Sequence, residues 1–123
     1  MNLYKFFYRA TVVRVVDGDT VDLSIDLGFS MLHQTRVRLH GVNTPESRTR
    51  DLEEKARGIA ATEYVEEWLR QYDEVYIRTI KDRGGKYGRI LAYIYSDEKM
   101  THCLNEDIIT SGHGVEYFGG ARN

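Results

Sequence analysis

The stretch Arg36-Val37-Arg38-Leu39-His40-Gly41-Val42-Asn43-Thr44-Pro45-Glu46 gathers arginines, an amide, a hydroxyl and a carboxylate within a short span. Guanidinium groups grip anionic oxygens through a planar fork and keep their charge. Oxygen ligands mounted at a strand end suit a hard cation. Together these are the groups that phosphate chemistry needs. Three other clusters compete with this one: Asp17-Gly18-Asp19, Lys86-Tyr87-Gly88-Arg89, and the histidines His40, His102 and His113. Each cluster also has a plain structural reading. Aspartate and glycine are common in hairpin turns. Arg38 alone is a solvated strand arginine, and Asn43-Thr44-Pro45 alone is a capping turn. The basic loop is not a phosphate-binding P-loop, because no Ser or Thr follows a Gly-Lys pair and no helix follows. The histidine spacing fits no zinc pattern, so structural or exposed roles come first for all three.

These groups need a scaffold, and the periodicity is mainly that of strands. Residues 9–16 are rich in β-branched side chains. Asp17-Gly18 signals a tight turn, and 19–27 alternates, with Val21, Leu23, Ile25 and Leu27 on one face. A connection at 28–34 leads to a third strand predicted at 35–42, which must stop before Pro45. Such a meander brings Asp17 and Asp19 near the edge of the third strand only if the sheet curls. Asp51 with Glu54 reads as a capping box opening a helix that runs to about Tyr72. Its apolar stripe is Leu52, Ala56, Ile59, Ala60, Val65, Trp68, Leu69 and Tyr72. Gly58 inside that helix costs about 1 kcal/mol against alanine, which implies close packing there. Strands are predicted at 74–80 and 89–95, and a short helix at 104–111 that Gly112 ends. No pattern emerges after His113. The elements imply a small closed barrel plus helices, mainly β in an α+β class.

With 123 residues, one domain spanning 1–123 is the natural expectation. Hydrophobic residues make up 41% and charged residues 29%, an ordinary globular balance. A formal net charge of -2 argues against gripping nucleic acid by bulk positive charge. It leaves room for an enzyme that meets an anionic substrate through a metal and a few arginines. The single cysteine excludes an internal disulfide and a multi-cysteine zinc site. No signal peptide or membrane span is read, so a cytoplasmic location is expected, with export behind a removed leader still open.

In order and spacing, Val16-Asp17-Gly18-Asp19-Thr20-Val21, Arg38 through Thr44-Pro45-Glu46, and Lys86-Tyr87-Gly88-Arg89 through Tyr95 resemble the staphylococcal (micrococcal, thermonuclease) nuclease family. Leu104-Asn105-Glu106 through Gly112 matches a later family segment. The resemblance implies a five-stranded OB-fold barrel, with a long helix between strands 3 and 4 and a short C-terminal helix. It implies a Ca²⁺-dependent endonuclease that cleaves DNA and RNA, single-stranded or frayed, with low sequence preference and 3′-phosphate products. By the same resemblance, Asp19, Asn43 and the Thr44 carbonyl form the metal site. Glu46 activates or orients water, and Arg38 and Arg89 hold the scissile phosphate. Lys86 and Tyr87 bind a terminal phosphate, and Tyr117, or Phe118 beside it, offers an aromatic platform. A monomer is expected. Asn43 stands where the family has an aspartate, which removes one charge from the metal site and implies weaker cation binding. The rival expectation is a catalytically weakened or inactive OB module that binds single-stranded nucleic acid or a protein.

Overall fold

Buried and half-exposed positions alternate strictly along Thr20–Asp26, with Val21, Leu23 and Ile25 inside, as a pleated strand over an apolar core requires. The computed structural model describes residues 6–80 and 90–118. Its elements are β1 (Phe7–Asp17), β2 (Thr20–Asp26), β3 (Leu32–Leu39), β4 (Val42–Asn43), α1 (Leu52–Arg70), β5 (Val75–Ile80), β6 (Ile90–Tyr95), α2 (Leu104–Thr110) and β7 (Val115–Glu116). Five strands close a barrel in the order β1-β2-β3-β6-β5. All neighbours are antiparallel except β3 with β6. This is the mainly β, OB-like barrel that the sequence implied, with the long helix between the third and fourth barrel strands and a short helix near the end. No described helix is long and apolar enough to cross a membrane.

The barrel interior is aliphatic: Leu23, Val37, Leu39, Ile77 and Ile94 are fully buried. Val65 and Leu69 of α1, with Leu104 and Ile108 of α2, join the same core. Asp51 caps α1 by accepting from the Glu53 and Glu54 amides at 3.0 and 3.2 Å, a cap worth about 1 kcal/mol. The helices are tied by Trp68 Nε1, which donates to Asp107 Oδ2 at 2.8 Å.

Several expectations are corrected. The third strand starts at Leu32 and ends at Leu39, because its pairing with β2 extends to Asp26↔Leu32. Gly41, at φ +76°, breaks it, a conformation that favours glycine. Val42–Asn43 then forms a separate two-stranded sheet with Val115–Glu116, in the region where no pattern was legible. Leu27 lies outside β2 and is exposed. Leu52 and Ile59 also face solvent, so the buried stripe of α1 is Gly58, Ala61, Val65, Trp68 and Leu69. The capping box is only half formed. The Glu54 carboxylate accepts from the Glu46 amide at 3.2 Å, while the Asp51 amide turns to Thr49 Oγ1.

Candidate active site

The register of β2 on β3 builds the site. Thr20 pairs with Arg38, and the Leu39 amide donates to the Asp19 carbonyl at 2.9 Å. Asp19 therefore lies beside Arg38 through one hairpin, with no curl between β1 and β3 needed. Asp19 Oδ2 is 3.7 Å from Arg38 Nη2 and accepts the Thr44 amide at 3.2 Å. Its Oδ1 accepts from Thr20 Oγ1. Arg38 is fixed on its other side. Nη1 donates to the carbonyls of Leu39 at 2.8 Å and Val42 at 2.7 Å, and Nη2 donates to Asn43 Oδ1 at 3.1 Å. The left-handed turn at Gly41 folds the chain back so that both carbonyls reach one nitrogen.

The Asp-Gly turn serves a second purpose. Gly18 is not in a left-handed conformation; a Cβ there would meet Ala61 Cβ and Thr44 Oγ1 at 2.9 Å. The glycine lets the hairpin lie against α1 and the Thr44 segment. Asp17 accepts from Ser47 Oγ at 2.5 Å. Gly58 repeats the device, since its Cβ would come within 2.7 Å of the Glu46 carbonyl carbon and the Ser47 nitrogen. The close packing expected at Gly58 is thus packing against the loop that carries Glu46. Glu46 itself is exposed, and its Oε1 accepts the Arg48 amide.

These groups line one cleft of about 640 Å³, which takes in Asp17, Asp19, Arg38, Asn43, Thr44 and Glu46. Tyr117 and Phe118 form a further part of its lining. The Tyr117 amide donates to the Gly41 carbonyl, and the Phe118 ring sits where a Cβ on Gly41 would be. Lys86, Tyr87 and Arg89 lie outside the described residues. The histidines have separate surroundings: His113 packs on Tyr64 at 4.8 Å, and His40 packs on Tyr93 at 5.4 Å.

Sequence reasoning set His40 aside, yet it lines the cleft with Leu91. The signal was present: His40 follows Arg38 by two residues, so a strand puts both on one face. Burial, then the positive charges of Arg78 and Arg38, lowers the His40 pKa from its ordinary 6.5. Leu91 was not legible, because its place opposite Arg38 comes from the parallel β3–β6 pairing. Glu54 was read as a cap and instead holds the Glu46 loop.

The described residues hold no group of three His, Cys, Asp or Glu side chains that could bind a metal. The oxygens that the family resemblance implies for a cation are the Asp19 carboxylate, the Asn43 amide oxygen and the Thr44 carbonyl, and their residues all line this cleft. All are hard oxygens on strand ends or the adjoining turn, a donor chemistry that fits Ca²⁺ or another hard cation.

Comparison with known proteins identifies what the sequence is similar to. The family model described as staphylococcal nuclease homologue matches residues 36–122. The chain is 34% identical over 89 residues to a thermonuclease of Staphylococcus intermedius, covering 72% of this chain and 49% of that protein. It is 30% identical over 101 residues to a thermonuclease of Staphylococcus hyicus, covering 82% and 54%. It is 26% identical over 116 residues to endonuclease YhcR of Bacillus subtilis (strain 168), covering 90% of this chain but 9% of that protein. The chain thus spans about half the length of the thermonucleases and a small part of the endonuclease. With the match covering most of the sequence and the barrel and cleft in place, the chain belongs to the staphylococcal nuclease homologue family.

Proposed function

We propose that this chain is a Ca²⁺-dependent phosphodiesterase that hydrolyses DNA and RNA with low sequence preference and leaves 3′-phosphates. The observation that carries the reading is the convergence of Asp19, Arg38, Asn43, Thr44 and Glu46 on one cleft. Arg38 is held by two main-chain carbonyls and an amide, so its guanidinium needs little reorganisation as charge grows on the phosphoryl oxygens. Nε makes no hydrogen bond to a described residue. The exposed Glu46 carboxylate takes the role of orienting the attacking water and accepting its proton. Asp19, Asn43 and Thr44 would hold the cation, which supplies Lewis-acid stabilisation of phosphoryl charge when bound. Family resemblance adds Arg89 to the phosphate and Lys86 and Tyr87 to a terminal phosphate.

One observation favours the second reading, a binding module with little turnover. Asn43 replaces a carboxylate, and its amide oxygen already accepts from Arg38. The test is incubation with denatured DNA, in Ca²⁺ or in a chelator, followed by gel analysis. Degradation that needs Ca²⁺ and is abolished in Glu46→Ala and Arg89→Ala is the expected result. Intact but shifted DNA at millimolar-scale Ca²⁺ would instead establish the binding module.

A further inference from the structure

The aromatic wall of the cleft does not stop at its rim. On β6, Ala92 and Ile94 are buried, while Leu91 and Tyr93 are half-buried on the outer face of the barrel and Tyr95 beside them is covered, at 9% exposed. Cross-strand register sets Arg78 opposite Tyr93, and Tyr76 opposite Tyr95. It also sets Phe7 of β1 opposite Arg78. The rings make an unbroken run of contacts. Phe118 touches His40 at 5.5 Å, His40 touches Tyr93 at 5.4 Å, and Tyr93 touches Tyr95 at 6.4 Å. The covered Tyr95 ring touches Phe7 at 6.3 Å and so backs the surface rings from below, and Phe7 touches Tyr76 at 5.9 Å. The half-buried rings that a base can reach are Tyr93, Phe7 and Tyr76. The Arg78 guanidinium carbon lies 4.8 Å from the Tyr93 ring centre. The run ends in a second hollow of about 360 Å³, lined by Phe7, Tyr8 and Tyr76 together with Arg9, Asp26 and Glu98.

The geometry points to a track for single-stranded nucleic acid that leaves the cleft across β6 and β5 and ends in this second hollow. Strand propensity explains scattered tyrosines on a sheet. It does not explain a run that starts at the cleft wall and carries a cation over an early ring. Unpaired bases stack on aromatic faces whatever their sequence, and positive groups follow the backbone. The outward positions of β5 and β6 hold Arg78 and no carboxylate, and Arg38 waits at the cleft end. At the far rim Arg9 pairs with Asp26 at 2.9 Å and with Glu74 at 3.9 Å. With Glu98 also present, that end repels phosphate and accepts a base, which sets the length of the track. A duplex keeps its bases inside and gains nothing from the rings.

This track rests on the phosphodiesterase reading for its starting point, but its binding is measured separately. Fluorescence anisotropy in a chelator compares dithymidylate with an oligothymidylate of about eight nucleotides. The wild-type chain is expected to bind the longer strand at least about tenfold more tightly, and more tightly than a duplex of that length. Tyr93→Leu, Tyr76→Leu and Arg78→Gln should each cut the ratio of long-strand to dinucleotide affinity by about five- to tenfold. In Ca²⁺ the corresponding ratio of kcat/KM should fall alike. A ratio cancels any general loss of folded protein, and if Tyr93→Leu does not fold, the far-end Tyr76→Leu carries the test. Equal affinities for the two lengths, a duplex bound as tightly, or ratios unchanged in both Tyr76→Leu and Arg78→Gln would overturn the track. The last result would leave the rings to a protein partner. Cleavage with equal affinities removes the track and keeps the phosphodiesterase. Length-dependent binding that the variants abolish, with no cleavage, keeps the track and removes the enzyme.

Discussion

Two polar clusters sit on either side of the place where β3 and β6 part, and they are built for opposite ends. On one side Asn105, 2% exposed, donates to the carbonyls of His40 and Ala92 and accepts from the Ile94 amide, all at 2.9 to 3.0 Å. Every one of these bonds goes to main chain, and no described buried side-chain nitrogen or oxygen lacks a partner. On the other side Arg38 is anchored just as firmly through Nη1, but its side chain remains 13% exposed beside an Asp19 that is 15% exposed. A closed network in low dielectric contributes stability and nothing else. A network anchored at one end and open at the other keeps charge in place for a ligand. Polar residues near one strand end therefore differ in purpose according to whether their last hydrogen bonds are spent.

The sharpest way to break this contrast is Arg38→Lys. A lysine keeps the charge but loses the planar fork, and cleavage is expected to fall about 100- to 1000-fold. Retention of cleavage within a few-fold would put Arg38 on the structural side. Asn105→Ala is the mirror experiment. It takes a partner from the His40 carbonyl and the Ile94 amide, while the Ala92 carbonyl keeps the His40 amide. A urea titration should show a loss of about 3 kcal/mol, while turnover per folded molecule barely changes. A large drop in turnover with unchanged stability would dissolve the distinction.

Gly58→Ala probes the floor that α1 supplies. In an exposed helix the change would gain about 1 kcal/mol. Here the new methyl meets backbone at 2.7 Å, so the Glu46 loop must move. Cleavage is expected to drop about tenfold, with about 1–3 kcal/mol of stability lost. Asn43→Asp restores a charge to the open cluster, and calorimetric Ca²⁺ titration should show roughly tenfold tighter binding. No change would remove residue 43 from the cation site. The smallest effect concerns His40. Its folded-state pKa lies below 6.5, so the unfolded chain binds the proton more readily. Its contribution to stability is present above that value and is lost as pH falls through the folded pKa. His40→Gln should flatten the slope of stability against pH in that window, and an identical slope would show that His40 titrates normally.

Much of this was legible because short-range rules decided it. The alternation from Val21 to Ile25, the Gly112 stop and the Asp51 cap all follow from neighbours in the chain. The limits of the third strand were harder to read. Leu32 belongs to β3 only because Asp26 offers it a partner, and Val42–Asn43 leaves the strand to pair with Val115–Glu116. In the same way Leu52 and Ile59 satisfy a helical period yet face water, because the tight approach at Gly58 and Ala61 chose another stripe.

For the site, residue chemistry was readable from sequence: which groups can carry fixed charge, offer hard oxygens or stack on a base is a property of the side chain alone. Proximity was not. Asp19 meets Arg38 through the β2–β3 register, Leu91 joins them through a parallel pairing, and Glu54 reaches the Glu46 amide instead of closing its own cap. Local sequence sets what each group can do, since that depends on covalent structure and near neighbours. Only the closed barrel decided which groups share a cleft, because distances between remote residues are fixed by strand register and core packing, which no short stretch contains.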